Sequence, residues 1–532
     1  MHQQINSPKD GLDGLKQNFS SDLIAGILVS LLALPLSLGI AAACDFPNPM
    51  YGVLTAIIGG MIVSFFAGSV LTIKGPAAGL IVIVAGSVAA FGGGEIGWQL
   101  TLGAIVVAAL LQILFGIFKL GKLADFFPLS AVHGMLAAIG IIIISKQLHI
   151  LLGVNPVNEA GKPMVEPLEL LAALPATLAK ISANTKIVIT GITSLILVLG
   201  LPMIKNKWIK KIPIPVIVLL VAIPLGSYLG LNDIKGALLK FDKPFLDLVN
   251  INVSFGGMKQ VGTFIQYVIL FALIGSLESL LTAKAVDILD PFKRKSNFNK
   301  DLIAVGTGNV LAGVLGGLPM ISEVARSSAN VSNGGKTRWA NFFHGLSLLI
   351  FMLFLVPVLE MIPKAALAAM LIGVGIKLAH PKEFIHVFKI GKEQLAIFLT
   401  TIVFTLFVDL LVGIAAGMLL KVLIHLFNGA PLKSLFKAPI SVSFNDDNYL
   451  IEIENAAIFT NYLGIKNKLD AIPPKMKITI DFNKTKLVDH SVMENLHAFE
   501  HDYTAQGGSV YTIGLHEHKA FSNHSLAARK KL

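Results

Sequence analysis

Two short apolar segments, one in each half of the chain, carry the residues with the clearest chemical meaning. Residues 76–90 begin at the proline of a Gly-Pro step, and residues 322–331 come shortly after a Leu-Pro step. Both segments are too short to span a bilayer, so we predict helices that begin inside the membrane. The amino end of such a helix presents unpaired N–H groups and the positive end of the helix dipole, which favour an anion. The substrate-binding residues predicted from the first segment are Gly75, Pro76, Ala77 and Ala78.

The second segment adds charged side chains. Arg326 could face the anion directly, form a salt bridge with Glu323 three residues earlier, or do both. A carboxylate beside an anion repels it unless the carboxyl is protonated or paired, so we hypothesise that Glu323 titrates during transport and links uptake to protons. The substrate-binding residues predicted from this segment are Ser322, Glu323, Val324 and Arg326.

Each segment has a simpler interpretation, in which a proline only kinks an ordinary packed helix. The matched positions in the two halves favour a site, because paired broken helices build the binding sites of many transporters. Lys74 precedes the first segment and either adds positive potential to the site or extends its ammonium group to the membrane surface.

An acidic residue, Glu278, lies deep within a later apolar segment. Ionisable groups inside membrane-spanning helices are costly and therefore usually functional. Thr282 lies one turn further on the same helix face, so the two side chains could hold Na⁺ or a proton; the alternative is a hydrogen bond from Glu278 to a neighbouring helix. We predict Glu278, Thr282 and Glu323 as coupling-ion residues, with no other metal and no organic cofactor. We predict no catalytic residue and no enzyme, because transport breaks no covalent bond.

The elements that position these residues are about fourteen apolar segments, two of them interrupted. The longer runs fall at residues 23–43, 51–66, 97–118, 127–144, 187–204, 212–229, 264–286, 302–317, 339–362, 365–378, 395–407 and 410–427. Basic clusters alternate between them, as expected if both termini are cytoplasmic. These clusters lie at Lys119 and Lys122, within 205–211 and 293–295, and around Lys382, Lys389 and Lys392.

The composition agrees with a membrane protein. Of the 532 residues, 54% are hydrophobic and only 14% are charged, and the mean hydropathy is +0.74. Because soluble domains carry roughly 25% charged residues, an ordinary soluble protein is excluded. The net charge is +11, but the lysine and arginine residues are clustered between apolar runs, as in cytoplasmic loops. This distribution does not indicate nucleic-acid binding. A single cysteine, Cys44, excludes an internal disulfide framework, and the polar start predicts no cleavable signal peptide.

The composition changes after residue 427. Strands predicted at 441–444, 449–453, 477–482 and 509–513, with helices at 461–469 and 491–503, indicate a small sheet with helices packed on it. We therefore predict a cytoplasmic N-terminal segment (1–20), a transport domain (21–430) and a cytoplasmic α/β domain (431–532). Ser491 could accept a phosphate, but the capping-box pattern of 491–494 favours a helix N-cap. Surface positions, and no metal site, are expected for His490, His497, His501, His516, His518 and His524.

These motifs, in this order, resemble the sulfate permease (SulP) family, also called the solute carrier 26 anion transporters. The resemblance covers nearly the whole chain, and its C-terminal part resembles a STAS domain. The motifs that carry it are Ala33-Leu34-Pro35-Leu36-Ser37, Gly75-Pro76, Glu278-Ser279-Leu280-Leu281, Gly316-Gly317-Leu318-Pro319, Arg326-Ser327 and Gly334-Gly335-Lys336-Thr337. Each motif alone is weak, but their order and spacing are specific.

The resemblance implies an all-α membrane domain of two inverted seven-segment repeats, divided into a core and a gate, followed by the STAS domain. Substrate would bind between the third and tenth helices, and the core would move like an elevator against the gate, usually in a homodimer. Glu278 and Thr282 match the acid and threonine that hold Na⁺ in the bicarbonate branch, with Glu replacing Asp. Arg326 matches an arginine near the substrate in the animal motor protein. Glu323 stands where a small or hydroxyl residue is usual, and residues 489–492 lack the Ser-Gly of phosphorylated STAS regulators.

We therefore predict a secondary active transporter of a small inorganic anion, sulfate or bicarbonate, in a bacterial inner (plasma) membrane. Na⁺ or H⁺ would drive it, because the chain contains no nucleotide-binding P-loop. The expected partners are the anion, the bilayer and a second copy of the chain, without nucleic acid. A nucleobase or organic-anion transporter of the related fold is the first alternative. A membrane-anchored sensor or scaffold is the second, and paired broken helices with buried acids disfavour it.

Overall fold

The computed structural model describes residues 7–157, 164, 166–206, 212–437, 440–445 and 447–532, apart from the side chains of residues 123 and 124. The start of the predicted N-terminal segment (1–6), most of the predicted basic stretch (207–211) and Pro439 lie outside these residues. The described helices are α1 (Gly11–Ala43), α2 (Met50–Met61), α3 (Ile81–Ala90), α4 (Gly94–Ile117), α5 (Leu129–Leu151), α6 (Pro167–Leu178), α7 (Thr185–Gly200), α8 (Ile214–Tyr228), α9 (Phe245–Leu248), α10 (Val261–Leu289), α11 (Phe298–Leu315), α12 (Val324–Ser332), α13 (Trp339–Phe354), α14 (Val356–Leu359), α15 (Lys364–Leu378), α16 (Pro381–Ile390), α17 (Lys392–Phe407), α18 (Leu410–Phe427), α19 (Tyr462–Asp470) and α20 (His490–Ala505).

The described strands are short and fall in two parts of the chain. Two lie between helices of the membrane part, β1 (Ile73–Pro76) and β2 (Met320–Glu323). The others follow α18 and are β3 (Ile440–Asn445), β4 (Asn448–Ile453), β5 (Asn455–Ala457), β6 (Lys477–Asp481), β7 (Thr485–Val488), β8 (Ser509–Ile513), β9 (His518–Ala520) and β10 (Arg529–Lys531). The chain is therefore a mostly helical membrane protein with a C-terminal α/β region, as predicted.

Seven helical stretches of the described residues are long and apolar enough to cross a membrane by length and composition. They are Gly11–Ala43, Gly94–Ile117, Leu129–Leu151, Thr185–Met203, Val261–Leu289, Lys364–Ile390 and Leu410–Phe427. The other predicted apolar segments form helices outside this set, most of them shorter, although α11 has 18 residues. α1 begins at Gly11 instead of residue 23, because the Asp10 side chain caps a polar first turn. α6 and the amphipathic α16 were not predicted, because their apolar runs are too short to suggest a span.

The chain divides into two compact units. The first comprises Met1–Gly121 and Ile139–Leu378, and the second comprises Lys122–Ala138 and Ala379–Leu532. In the first unit α4 packs on α10 and α11, α13 packs on α1 and α2, and α7 packs on α15. Small residues allow close helix packing within membranes, and the backbones of Gly60 in α2 and Gly345 in α13 lie against each other. The predicted domain bounds at 21–430 and 431–532 stay a prediction.

The second unit contains α16–α18 and the α/β region. One sheet has the order β3-β4-β6-β8, with β3 antiparallel to β4 and the other neighbours parallel; a second has the order β5-β7-β10-β9. The core consists of apolar side chains from strands and from α19 and α20, among them Ile451, Ile465, Ile480 and Val492. The second sheet was not predicted, because strands of three or four residues carry almost no periodicity.

The start of α20 differs from the sequence prediction. Asp489, and not Ser491, is its N-cap: the Asp489 carboxylate accepts a hydrogen bond from the Val492 N–H at 2.7 Å. The Ser491 hydroxyl instead accepts a hydrogen bond from Lys421 Nζ in α18 at 2.7 Å. The capping-box prediction for Ser491 is therefore wrong, because an aspartate two residues earlier competes for the same role.

The surface position predicted for the C-terminal histidines is wrong for two of them. His490 and His518 are buried, and their ring nitrogens hydrogen-bond to backbone carbonyl oxygens. The side chains of His497 and His501 are mostly exposed, as predicted. Among the described residues no group of three or more His, Cys, Asp or Glu side chains could hold a metal ion.

Candidate functional site

The two interrupted segments meet through their backbones. β1 and β2 pair antiparallel, with Ile73 opposite Glu323 and Pro76 opposite Met320. A 3-10 turn (Ala78–Leu80) and then α3 follow β1, while α12 follows β2 directly. The amino ends of both short helices therefore lie beside one strand pair. The strands themselves were not predicted: Gly75, Pro76, Ser322 and Glu323 are extended, and the second helix begins at Val324.

Side chains of neighbouring helices fix the strand pair. Asn309 of α11 accepts a hydrogen bond from the Met320 N–H at 2.6 Å and donates one to the Met320 carbonyl at 3.1 Å. Ser327 of α12 accepts a hydrogen bond from the Ile73 N–H at 2.9 Å. The Asn330 amide donates to the Leu71 carbonyl at 2.9 Å. Buried backbone groups need such partners, so these polar residues hold the strand pair in place.

Arg326 is fully buried beside β1. A Cβ atom added at Gly75 would lie 2.5 Å from Arg326 Nη1, so the guanidinium occupies the space that a larger residue would need. Arg326 Nε and Nη1 have no hydrogen-bond partner within the described part of the chain. Nε lies 4.0 Å from Glu323 Oε2, which is the outer limit of an ion pair. Two guanidinium nitrogens are thus available to an acceptor at the strand pair.

Glu323 has a backbone role in addition to its charge. Its carboxylate accepts a hydrogen bond from the Arg326 N–H at 2.7 Å and is the N-cap of α12. An acidic N-cap also interacts favourably with the helix dipole. Val324, by contrast, is about half exposed and is not among the buried residues at the strand pair.

Glu278 of α10 lies at the start of the other short helix. A Cβ atom added at Gly79 would overlap the Glu278 carboxylate, so glycine is required for this approach. Glu278 Oε1 has no hydrogen-bond partner among the described residues. Thr282 is buried one turn further along α10. Gly79 was not among the predicted site residues. It belongs to the same motif as Gly75 and Ala78, so that motif could have identified it.

Lys74 neither reaches the membrane surface nor adds free charge to the site. It is fully buried, and its ammonium group lies 2.9 Å from Asp301 Oδ1 of α11. Asp301 was not predicted, because it lies one residue before the apolar run that begins at residue 302. The acidic residue just before that run was the available signal.

Comparisons with known proteins identify the family. The model of the sulfate permease family matches residues 19–401. The chain belongs to the sulfate permease family. A putative sulfate transporter of Bacillus subtilis, YvdB, is 29% identical over 416 residues, covering 76% of this chain and 73% of that protein. The bicarbonate transporter BicA of Picosynechococcus is 25% identical over 448 residues, covering 81% and 74%. Both relatives are named as transporters.

Solved structures of family members share the fold. The transmembrane domain of a cyanobacterial bicarbonate transporter, BicA, aligns with a TM-score of 0.64 at 23% identity, covering 75% of this chain and 98% of that one. The structure of SLC26A9 aligns with a TM-score of 0.66 at 17% identity, covering 94% and 85%. The chain is therefore a multi-pass membrane protein of an anion-transporter family.

Proposed function

We propose that the protein is a secondary active transporter of a small inorganic anion, sulfate or bicarbonate. The observation that carries this proposal is the Arg326 guanidinium, which is buried against Gly75 and has two nitrogens without partners among the described residues. Charged hydrogen bonds to an oxyanion are strong in such a setting. The amino ends of the two short helices would add positive potential on the same side.

The acids near Arg326 provide a reason for coupling. Glu278 and Glu323 together carry more negative charge than Arg326 can balance, and Lys74 is neutralised by Asp301. A buried anion would be repelled unless one carboxylate binds a proton or Na⁺. Glu278 fits that role, because its Oε1 has no partner among the described residues and Thr282 follows one turn later. We propose Glu278 and Thr282 as the coupling-ion residues, with Glu323 as a second proton acceptor.

The remaining parts of the proposal come from the family resemblance. The interrupted helices would belong to a core that moves like an elevator against a gate, in a homodimer in the plasma membrane. Both termini would be cytoplasmic, and the α/β region would be a STAS domain. The substrate set would be Gly75, Pro76, Ala77, Ala78, Ser322, Glu323, Val324 and Arg326.

Uptake into proteoliposomes tests the substrate. The full-length protein would be assayed with radiolabelled sulfate and bicarbonate while Na⁺ and pH gradients are imposed separately. We expect uptake of one anion, driven by one gradient and strongly reduced by Arg326→Gln at low anion concentration. Arg529→Gln, which alters an arginine of the C-terminal region, is the matched control. Absence of uptake of both anions, or full uptake by Arg326→Gln, contradicts the proposal.

Replacement of the two acids tests the coupling. We expect Glu278→Gln to remove the dependence of uptake on the driving gradient, because a neutral amide takes up no proton and lacks the negative charge that attracts Na⁺. Glu323→Gln should change the pH dependence of uptake, and an unchanged pH profile would exclude its titration. Glu454→Gln, at an exposed position of the α/β region, is the control.

A second candidate is a nucleobase or organic-anion transporter of the related fold. The Glu278 carboxylate against the Gly79 turn favours it, because a buried acid can accept hydrogen bonds from a ring N–H. Competition distinguishes the two: unlabelled uracil or a dicarboxylate should not reduce uptake of the inorganic anion. Strong inhibition by either compound would favour the second candidate.

A further inference from the structure

One carboxylate, Asp301 in the first turn of α11, binds four groups around the strand pair. Its Oδ1 accepts hydrogen bonds from the Gly68 and Ser69 N–H groups, each at 3.1 Å, and from Lys74 Nζ at 2.9 Å. Its Oδ2 accepts a hydrogen bond from Ser322 Oγ at 3.1 Å. We propose that Asp301 is a positioning residue for the anion site, an inference that rests on the proposed function.

The two faces of the strand pair have different contacts. Neighbouring residues of a strand point to opposite faces. Lys74 of β1 lies directly opposite Ser322 of β2, and both bind Asp301. Gly75, the next residue of β1, contacts Arg326 instead. Asp301 therefore holds the face behind the guanidinium and can fix the site without touching a substrate.

The same network extends to α10. Ser279 Oγ lies 3.1 Å from Ser322 Oγ and accepts a hydrogen bond from the Ser322 N–H, also at 3.1 Å. The network thus binds Ser322, itself a candidate site residue, and Lys74 and Ser279, and all three are sequence neighbours of further candidate site residues. Those site residues are Gly75, Glu323 and Glu278. One carboxylate on α11 consequently links the three elements that form the site.

The charges explain why two substitutions are needed for a clean test. Lys74 and Asp301 are both fully buried, so removal of either one leaves an uncompensated charge and is expected to impair folding. Removal of both charges is usually tolerated much better. The double variant Lys74→Met/Asp301→Asn keeps the interior neutral while weakening the hydrogen bonds to β1 and β2. A change of KM in the double variant therefore reports on the position of β1 and β2 and not on an uncompensated buried charge.

Transport kinetics of the full-length protein in proteoliposomes provide the first readout. We expect the double variant to unfold at about the native temperature, yet to show a KM raised about tenfold, because displacements near 1 Å can cost that much or more. Asp301→Glu should recover part of the affinity in the presence of Lys74. Arg294→Met/Asp290→Asn is the matched control, since it likewise removes both charges of a pair, in which Arg294 Nε lies 2.7 Å from Asp290 Oδ2. A folded double variant with the native KM overturns the proposal.

Cross-linking provides a second readout that needs no transport. Ile73→Cys and Glu323→Cys, at directly opposite positions of β1 and β2, would be introduced after Cys44→Ser removes the native cysteine. We expect oxidative cross-linking to be several-fold slower when Lys74→Met/Asp301→Asn is added. Equal rates overturn the positioning role. If the native protein transports neither anion but cross-linking still depends on Asp301, the proposed function fails and the positioning role stands.

Discussion

Two fully buried lysine–aspartate pairs lie in different parts of the molecule. In the first unit, Lys74 Nζ is 2.9 Å from Asp301 Oδ1 behind the β1–β2 pair. In the second, Lys421 Nζ of α18 is 3.3 Å from Asp489 Oδ2 at the amino end of α20. The side chains are at most 1% exposed in both pairs. The pairs are alike, so differences in function must come from their surroundings.

The two pairs differ in how many of the buried charged groups around them have hydrogen-bond partners. Near Lys74 and Asp301, atoms of Arg326 and Glu278 lack hydrogen-bond partners among the described residues. At the other pair, the Asp489 carboxylate also accepts from the Val492 and Phe459 N–H groups, at 2.7 and 2.8 Å. Buried charge is costly unless it is partnered. The first region therefore fits the charged ligand that we propose for it, whereas the second links α18 to α20.

Arg326→Gln should separate the two regions most strongly. Loss of the charged hydrogen bonds, worth about 1.5–3 kcal/mol each, should raise the KM for the anion roughly 10- to 100-fold. The temperature of unfolding should change little, because Nε and Nη1 have no hydrogen-bond partner among the described residues and the Glu323 ion pair is at its outer distance limit. Uptake kinetics and thermal unfolding of the same preparation would measure both. A large loss of stability with an unchanged KM would make Arg326 structural, like Lys421.

Asp489→Asn should have the opposite outcome. It leaves Lys421 buried without its partner, and breaking such a pair costs about 3–5 kcal/mol. We expect a clearly lower denaturant midpoint for the C-terminal region, followed by tryptic cleavage of the full-length protein, with little change in KM. Glu452→Gln, which removes one half of the Lys484 pair, is the control and should leave the midpoint unchanged. A native midpoint for Asp489→Asn would show that the contact between α18 and α20 tolerates an unpaired lysine.

The long elements of both regions could be predicted from the sequence. Helices α10 and α18 extend beyond or match their predicted apolar runs, because hydropathy over about 20 residues is a strong signal. The strands β1 and β2 could not be predicted, since each has four residues and its partner lies in the other half of the chain. The second sheet of the C-terminal region was missed for a related reason, the shortness of its strands.

The charged residues of the site were only partly predictable. Arg326 and Glu278 were found because ionisable groups within apolar runs are conspicuous. Asp301 was missed because it precedes its run by one residue, and the partner of Lys74 could not be inferred without the fold. Asp489 was overlooked because a later serine also fits a capping pattern. Charged residues inside an apolar run could thus be predicted as site residues. Their ion-pair partners from distant segments of the chain could not.

Gly75→Ala should sharpen the comparison with a smaller effect. The new methyl group would lie 2.5 Å from Arg326 Nη1, so the guanidinium must move while the strand remains paired. We expect the KM to rise roughly fivefold, which corresponds to about 1 kcal/mol. Gly262→Ala is the matched control, because a Cβ atom there meets nothing within 4 Å. Equal uptake kinetics for the two variants would place the guanidinium outside the binding site.

The contact between Lys421 of α18 and Asp489 at the start of α20, which we call the junction, should keep its stability over the physiological pH range. Burial by itself would raise the pKa of the Asp489 carboxyl, but Lys421, His425 and two backbone N–H groups hold that pKa below its ordinary value of 3.8. A carboxyl with a lower pKa when folded stabilises the protein above the unfolded pKa, and this contribution is lost only as the pH falls through the folded value.

Hydrogen exchange of the α20 amides, corrected for the intrinsic rate, checks this expectation. Protection should be the same from pH 8 to about pH 5, since the unfolded pKa is near 4, and it should fall only below that range. Lys421→Met should reduce protection at every pH, because Asp489 then lacks its main cationic partner. Protection that is lost between pH 7 and pH 5 would show that a histidine, and not Asp489, controls the junction. The two buried pairs would then differ in proton response as well as in partnering.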